Sequence, residues 1–180
     1  MEGYLAEQQD RSADARSIYT GLVETTNAPG ALLALIGLES RLGNTQRALS
    51  LLDGWKSDEV PADSAILGIA RAQVHVDAGN RDAALEQISI LLSKNPNNPG
   101  LMNDVAMMLG NTEREQAIRY ARRANELAPG QPAILDTLGK LLSADGQFEQ
   151  GLMLLRQALD LAPDSLEIRL NLAEALLSSG

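Results

Sequence analysis

Residues 132–163 read PAILDTLGKLLSADGQFEQGLMLLRQALDLAP, and this stretch decides the fold. A proline at each end, the central Gly146 and apolar residues at helical spacing predict two helices joined by a tight turn. Pro163 follows Pro129 by 34 residues, each after a similar helix ending, and Pro129 follows Pro96 by 33. Two antiparallel helices of about 13 residues with their turns occupy roughly that length. The sequence therefore predicts a repeat built of helix pairs.

A small residue recurs five positions after each internal turn glycine. The glycines with the small residues that follow them are Gly43 and Ala48, Gly79 and Ala84, and Gly146 and Gly151. A small side chain at the point of closest approach lets two helix backbones come together. Each helix pair then leaves an apolar face uncovered, so that the next pair must stack on it.

Residues 132–163 resemble the tetratricopeptide repeat family. That pattern has Leu-Gly in the first helix, Gly before an aromatic residue at the turn, a small residue early in the second helix, then Ala and Pro. Here these positions are filled by Leu138, Gly139, Gly146, Phe148, Gly151, Ala158 and Pro163. Leu135 and Leu142 stand where the family usually has Trp and Tyr, and Gly151 where Ala is more usual. The resemblance implies an all-α fold, a right-handed superhelical solenoid of antiparallel helix pairs.

The same frame extends over the whole chain, which we predict to be a single solenoid over residues 1–180. Its parts are a partial repeat at 1–28, full repeats at 29–62, 65–98, 99–131 and 132–165, and a lone first helix at 166–180. The repeat at 99–131 has a turn shortened by one residue near Asn111. Because the frame starts inside one repeat and stops halfway through another, we expect a piece of a longer solenoid. Its exposed last face, with Leu170, Leu172 and Leu176, is a candidate for self-association.

Charge argues against a nucleic-acid partner. The formal net charge is −9, whereas phosphate neutralisation needs clustered basic residues. The one basic cluster, in the segment from Arg114 to Arg123, is interleaved with glutamates and predicts a solvated helix face with ion pairs. No apolar run is long enough to cross a bilayer, so we expect no direct membrane insertion by this segment.

The residues that carry most enzyme chemistry are scarce. The chain has no cysteine and one histidine, His75, for which we predict a packing or groove-lining role. Asp58, Glu59 and Asp63 lie in an inter-repeat connection and are interpreted as a solvated turn. No phosphate-binding loop or nucleophile elbow is present. We therefore expect no enzyme activity, no cofactor and no metal site.

The resemblance implies that the first helices line a concave groove for an extended protein or peptide partner. The corresponding positions here are Gln73, Asn103, Asp104, Met107, Asp136, Thr137, Lys140, Asn171 and Glu174. Asparagine suits this task because its amide both donates to and accepts from a peptide backbone. The alternative is that these are merely exposed polar positions on helices.

One known activity of the family is rejected on its motif. Members that bind chaperones hold a terminal carboxylate with basic residues. The corresponding positions here hold Ile66, Ala70, Gly100 and Asp104. None of these four side chains can carry a positive charge, so we expect no binding of that kind.

A narrower resemblance concerns three segments near the C-terminus. AIRYARRANELAP (117–129), AILDTLG (133–139) and LEIRLNLAEAL (166–176) are similar to bacterial repeat lipoproteins that accompany exopolysaccharide and PEP-CTERM sorting systems. Those proteins often carry Trp where this chain has Lys140, and similar segments occur in unrelated bacterial repeat proteins. The shortened turn near Asn111 also fits that group.

The leading hypothesis is an interaction scaffold, one module of a larger bacterial protein in exopolysaccharide export or assembly. The alternatives are a structural spacer that oligomerises, or a regulatory part of a parent enzyme or secretion protein. The lipoprotein resemblance implies a periplasmic or membrane-anchored location, and the chain would otherwise be cytoplasmic.

Overall fold

A computed structural model describes residues 2–9, 11–56, 61 and 64–180. These residues form eleven helices and no strand. The helices are α1 (Glu2–Gln8), α2 (Ser12–Thr26), α3 (Pro29–Arg41), α4 (Thr45–Gly54), α5 (Ala65–Asp77), α6 (Arg81–Lys94), α7 (Pro99–Leu109), α8 (Arg114–Leu127), α9 (Pro132–Ala144), α10 (Phe148–Leu161) and α11 (Leu166–Ser178). The turn predicted at Asp58, Glu59 and Asp63 lies outside the described residues. None of the described helices has the length and apolar character that a membrane crossing needs.

Three of the turns within helix pairs are built alike. Three residues separate α3 from α4, α5 from α6 and α9 from α10. The middle residue of each turn is a glycine with a positive φ of 76° at Gly43, 70° at Gly79 and 81° at Gly146. L side chains rarely adopt this left-handed backbone, which explains the recurring turn glycine.

The connection between α7 and α8 differs from its prediction. From the start of α7 to the start of α8 the chain is one residue shorter than in the three pairs just described, which agrees with the predicted loss of one residue. The turn itself is not shortened, because four residues separate the helices and α7 has only 11 residues against 13 in α9. Gly110 has a right-handed φ of −53°, so this turn forms without a left-handed glycine. The deletion therefore shortens the end of α7.

The chain divides into two compact units, the N-terminal unit up to Leu91 and the C-terminal unit Leu92–Gly180. In the N-terminal unit, Trp55 packs with Leu32 of α3 and Leu67 of α5. Its indole Nε1 donates a 2.6 Å hydrogen bond to Oδ1 of Asn27, the left-handed residue that ends α2. Trp55 therefore fills a gap between helix pairs.

A buried carboxylate joins three helices of the same unit. Glu39 of α3 is fully buried and accepts hydrogen bonds from Arg16 of α2 at 2.5 and 3.0 Å and from Asn44 at 2.7 Å. Arg47 of α4 completes the group at 3.1 Å. Burial alone would raise the pKa of Glu39, but these hydrogen bonds and positive charges hold that pKa below its ordinary value. The carboxylate therefore stays ionised and ties α2, α3 and α4 together.

In the C-terminal unit, α9 and α10 approach each other closely. A Cβ atom on Gly139 of α9 would lie 2.8 Å from Leu155 Cγ and 2.9 Å from the Gly151 carbonyl oxygen of α10. A Cβ atom on Gly151 would meet the Ser143 hydroxyl and lie 2.7 Å from the Gly139 carbonyl oxygen. The two helices run antiparallel with their backbones in near contact, which explains glycine rather than alanine at position 151.

Adding a methyl group at Gly139 tests this contact. We expect Gly139→Ala to lower the free energy of unfolding by about 1–3 kcal/mol, because the α10 backbone must move to admit it. Gly21→Ala in α2 is the control: nothing lies within 4 Å of its added Cβ, so it should raise stability by roughly 0.5–1 kcal/mol. Urea midpoints measure both, and equal effects at the two sites would contradict the packing described.

Candidate peptide-binding site

The nine residues predicted to line a groove lie on four helices, with α5 in the N-terminal unit and α7, α9 and α11 in the C-terminal unit. Gln73 of α5 is half-buried, and its Nε2 donates a 2.6 Å hydrogen bond to Asp77 Oδ1. Asp77 Oδ2 also accepts a 2.6 Å hydrogen bond from the Ser40 hydroxyl of α3. The Gln73 amide is thus engaged in an intrahelical contact.

Two clefts in the C-terminal unit bring most of the other predicted residues together. The Asp136 cleft, of about 150 Å³, is lined by Met107, Asp136, Thr137, Lys140 and Asn171, together with Gly110, Asn111, Arg114, Leu141, Ala144 and Glu167. The Glu174 cleft, of about 350 Å³, is lined by Lys140, Ser143, Ala144, Gly146, Phe148, Asn171, Glu174, Ala175 and Ser178. The clefts share Lys140, Ala144 and Asn171, so they adjoin. Asn103 and Asp104 line neither of them.

Among the residues that line the two clefts, Asp136 has the most unusual side-chain environment. It is only 7% exposed, and its Oδ2 accepts a 2.8 Å hydrogen bond from Asn171 Nδ2 of α11. Its Oδ1 is buried and accepts no hydrogen bond from the protein. Burial raises the pKa of Asp136 and Glu167 adds to the rise, while the Asn171 hydrogen bond and the charge of Lys140 oppose it. Asp136 is therefore a desolvated carboxylate with one oxygen that lacks a hydrogen-bond donor.

The other predicted residues of the unit divide into a buried and an exposed set. Asn103, Thr137 and Asn171 are buried, whereas Asp104, Met107, Lys140 and Glu174 are exposed. The Thr137 hydroxyl donates to the Ala133 carbonyl oxygen at 2.9 Å within α9. The alternative that these positions are merely exposed polar residues therefore does not describe the buried set.

Arg114 is a cleft residue that the sequence analysis missed. It was grouped with the solvated arginine face, which does hold the ion pairs Arg119–Glu115 at 3.9 Å and Arg123–Glu126 at 2.9 Å. Arg114 instead donates from Nη1 to the Ala144 carbonyl oxygen at 2.7 Å and lines the Asp136 cleft. The sequence signal for this role is the loss of one residue between the starts of α7 and α8. Gly110 and Asn111, which follow the shortened α7, line the same cleft as Arg114.

Within the described ranges, no group of three or more His, Cys, Asp or Glu side chains could hold a metal ion. His75 is half-buried in α5, with its Nδ1 buried and unpaired. The chemistry that the clefts offer is hydrogen bonding, ion pairing and apolar contact.

The family comparison supports the repeat assignment. The family model for the tetratricopeptide repeat matches residues 142–180. A search of curated protein sequences found no match.

Solved structures with the same fold are tetratricopeptide repeat proteins. A thermophilic member from Thermus thermophilus is 21% identical with a TM-score of 0.68, covering 97% of this chain and 95% of that one. A member from Parabacteroides merdae is 14% identical with a TM-score of 0.61, covering 98% and 70%. YrrB, a protein with an unusual peptide-binding site, is 17% identical with a TM-score of 0.54, covering 93% and 86%. These identities show the fold alone, and the predicted all-α fold of packed helix pairs is confirmed.

The raised pKa of Asp136 predicts how stability depends on pH. The folded chain holds this proton more tightly than the unfolded chain, so wild-type stability falls as pH rises from the ordinary aspartate range through the raised pKa. Asp136→Asn cannot ionise and can still accept the Asn171 hydrogen bond. The unfolding free energy of the variant minus that of the wild type should therefore increase with pH over this window and level off above it.

Urea unfolding between about pH 3 and pH 8 measures that difference. Asp160→Asn makes the same charge change at an exposed position of α10 and is the control with which the Asp136→Asn difference is compared. An Asp136→Asn difference that is flat, or that decreases with pH, would show that Asp136 is not a desolvated carboxylate.

Proposed function

We propose that this chain is a protein-interaction scaffold that binds a peptide segment along α7, α9 and α11. The observation that carries the proposal is the pair of adjoining clefts sharing Lys140, Ala144 and Asn171. Six of the residues predicted from the family pattern line one cleft or the other. The tetratricopeptide fold supports this reading, since it generally serves protein interaction, and one fold relative, YrrB, has a peptide-binding site.

The clefts offer the kinds of contact that a peptide segment can make. The exposed side chains of Met107, Lys140 and Glu174 offer one apolar and two oppositely charged contacts. The buried Asp136 and Asn171 provide fixed polar groups below them. A mainly apolar lining with a few fixed polar groups orients a ligand through hydrogen bonds while burying part of its surface.

We also propose that the chain works without catalysis. Asp136, the cleft carboxylate with a raised pKa, has Asn171 as its hydrogen-bond partner. The Thr137 hydroxyl, which is the nearest candidate nucleophile in sequence, already donates to the Ala133 carbonyl oxygen. A nucleophile needs a base within hydrogen-bond reach, and neither group is arranged in that way.

The proposed setting is a bacterial multiprotein assembly for exopolysaccharide export or assembly. This proposal is supported by the sequences of residues 117–129, 133–139 and 166–176, which resemble repeat lipoproteins of those systems. A regulatory part of a parent enzyme or secretion protein is the alternative setting for the same interaction module.

A second candidate function is self-association through α11. Leu166, Leu170 and Leu177 recur at helical spacing and are 76%, 59% and 85% exposed. Of the face predicted for this role, Leu170 and Leu176 are exposed and Leu172 is partly buried. Sedimentation velocity over a concentration series tests it: a rising sedimentation coefficient is expected, and a concentration-independent monomer would contradict it.

Blocking the shared part of the clefts tests peptide binding directly. Ala144 is exposed and lines both clefts. Arg114 contacts only the backbone carbonyl oxygen of Ala144, so a larger side chain at position 144 leaves that hydrogen bond in place. We expect the wild-type chain to select peptides from a displayed random heptapeptide library. Ala144→Trp should then weaken a selected peptide by about tenfold or more, because the indole occupies both clefts.

Ala173→Trp is the matched control, since Ala173 is exposed on α11 and lines neither cleft. Its affinity for the same peptide, measured by fluorescence anisotropy, should stay near the wild-type value, and urea midpoints should show both variants folded. If no peptide is selected, or if Ala144→Trp binds as tightly as Ala173→Trp, the proposed site is wrong.

A further inference from the structure

The unpaired Oδ1 atom of Asp136 limits which chemical groups can bind in the cleft. A carboxylate accepts hydrogen bonds and donates none, and buried polar atoms in folded proteins almost always have a partner. Asp136 lines the cleft, and its Oδ1 is buried and accepts nothing from the protein. Because Oδ2 is already bonded to Asn171, Oδ1 is the position to which a bound group would donate.

The neighbouring donors are committed elsewhere or lie at the rim. Thr137 donates to the Ala133 carbonyl oxygen, and Arg114 donates to the Ala144 carbonyl oxygen. Lys140 is exposed, and its charge lowers the pKa of Asp136 without outweighing burial. The protein's own cations therefore leave the desolvation of this carboxylate uncompensated.

The size and lining of the cleft define the side chain that fits. Its volume of about 150 Å³ equals that of a cavity able to hold a benzene-sized group. Met107, Leu141 and Ala144 provide apolar wall, and Glu167 adds an exposed carboxylate to the lining. A long aliphatic stem that ends in a cationic donor matches this combination, because the stem packs on the wall while the cation meets the carboxylate.

We infer that the Asp136 cleft receives a lysine or arginine side chain of the bound peptide, whose cationic nitrogen donates to Asp136 Oδ1. The inference rests on the proposed function and names its specificity. A charged donor is favoured over a neutral amide because a charge-assisted hydrogen bond is about twice as strong. Buried charges in proteins are also usually paired with an opposite charge. The specificity is opposite to that of family members which hold a terminal carboxylate with basic residues.

Peptide selection on the wild-type chain is the first test. Displayed heptapeptides that bind should be enriched in Lys or Arg relative to the unselected library. In a selected peptide, replacing the key arginine by citrulline keeps N–H donors but removes the charge, and norleucine removes both. We expect affinity to fall about tenfold with citrulline and about a hundredfold with norleucine.

Asp136→Asn tests the protein side of the same contact. The carboxamide can keep its oxygen toward Asn171, which places an NH₂ donor where Oδ1 was. Affinity for the arginine peptide should fall about tenfold to a hundredfold, while Asp160→Asn should bind like the wild type. Circular dichroism and urea midpoints check that both variants are folded.

The outcomes separate this inference from the proposed function. If no peptide is selected, both are overturned. If peptides are selected without basic residues, or if Asp136→Asn binds the arginine peptide like the wild type, the inference alone is overturned. If citrulline and arginine peptides bind equally, a neutral donor suffices and the assignment of a cation is wrong.

Discussion

The near contact of the α9 and α10 backbones is the constraint on which the rest of the C-terminal unit depends. Gly139 and Gly151 leave no room for a Cβ atom, so the two helices are fixed against each other along one side of α9. Helix α9 also contacts α7 and α11. Asp136 and Lys140 flank Gly139 on α9, so the contact that fixes Gly139 also fixes the orientation of these two cleft residues. The small residues of the repeat thus position the polar residues of the site.

Much of the fold could be predicted from the sequence because the same pattern of residues recurs in several repeats. Prolines at intervals of 33 and 34, turn glycines, and a small residue five positions later all fix one register. The small residues Ala48, Ala84 and Ala117 are nearly or fully buried, as close helix packing requires. Once the register is known, positions on the first helices that share a face follow from helical periodicity. Within that register, the family resemblance indicated Met107, Asp136, Lys140 and Asn171 as groove positions, and these four residues line the Asp136 cleft.

The features of the clefts that could not be predicted depend on contacts between residues distant in sequence. The hydrogen bond from Asn171 to Asp136 spans 35 positions, and no periodicity distinguishes a buried polar residue from an exposed one on the same face. Arg114 was misassigned because its role follows from the shortened end of α7 and the position of Ala144. Both failures concern polar groups at the clefts, where local sequence rules are least informative and function is most often found.

The central claim is that Asp136 is a desolvated carboxylate whose partner is a cationic ligand. Titration of its side-chain carboxyl carbon by NMR, with and without a selected arginine peptide, tests this most directly. We expect the pKa of Asp136 to lie above the ordinary aspartate value in the free chain and to be lower when the peptide is bound. A free pKa at or below the ordinary value, or the same pKa with and without the peptide, would contradict it.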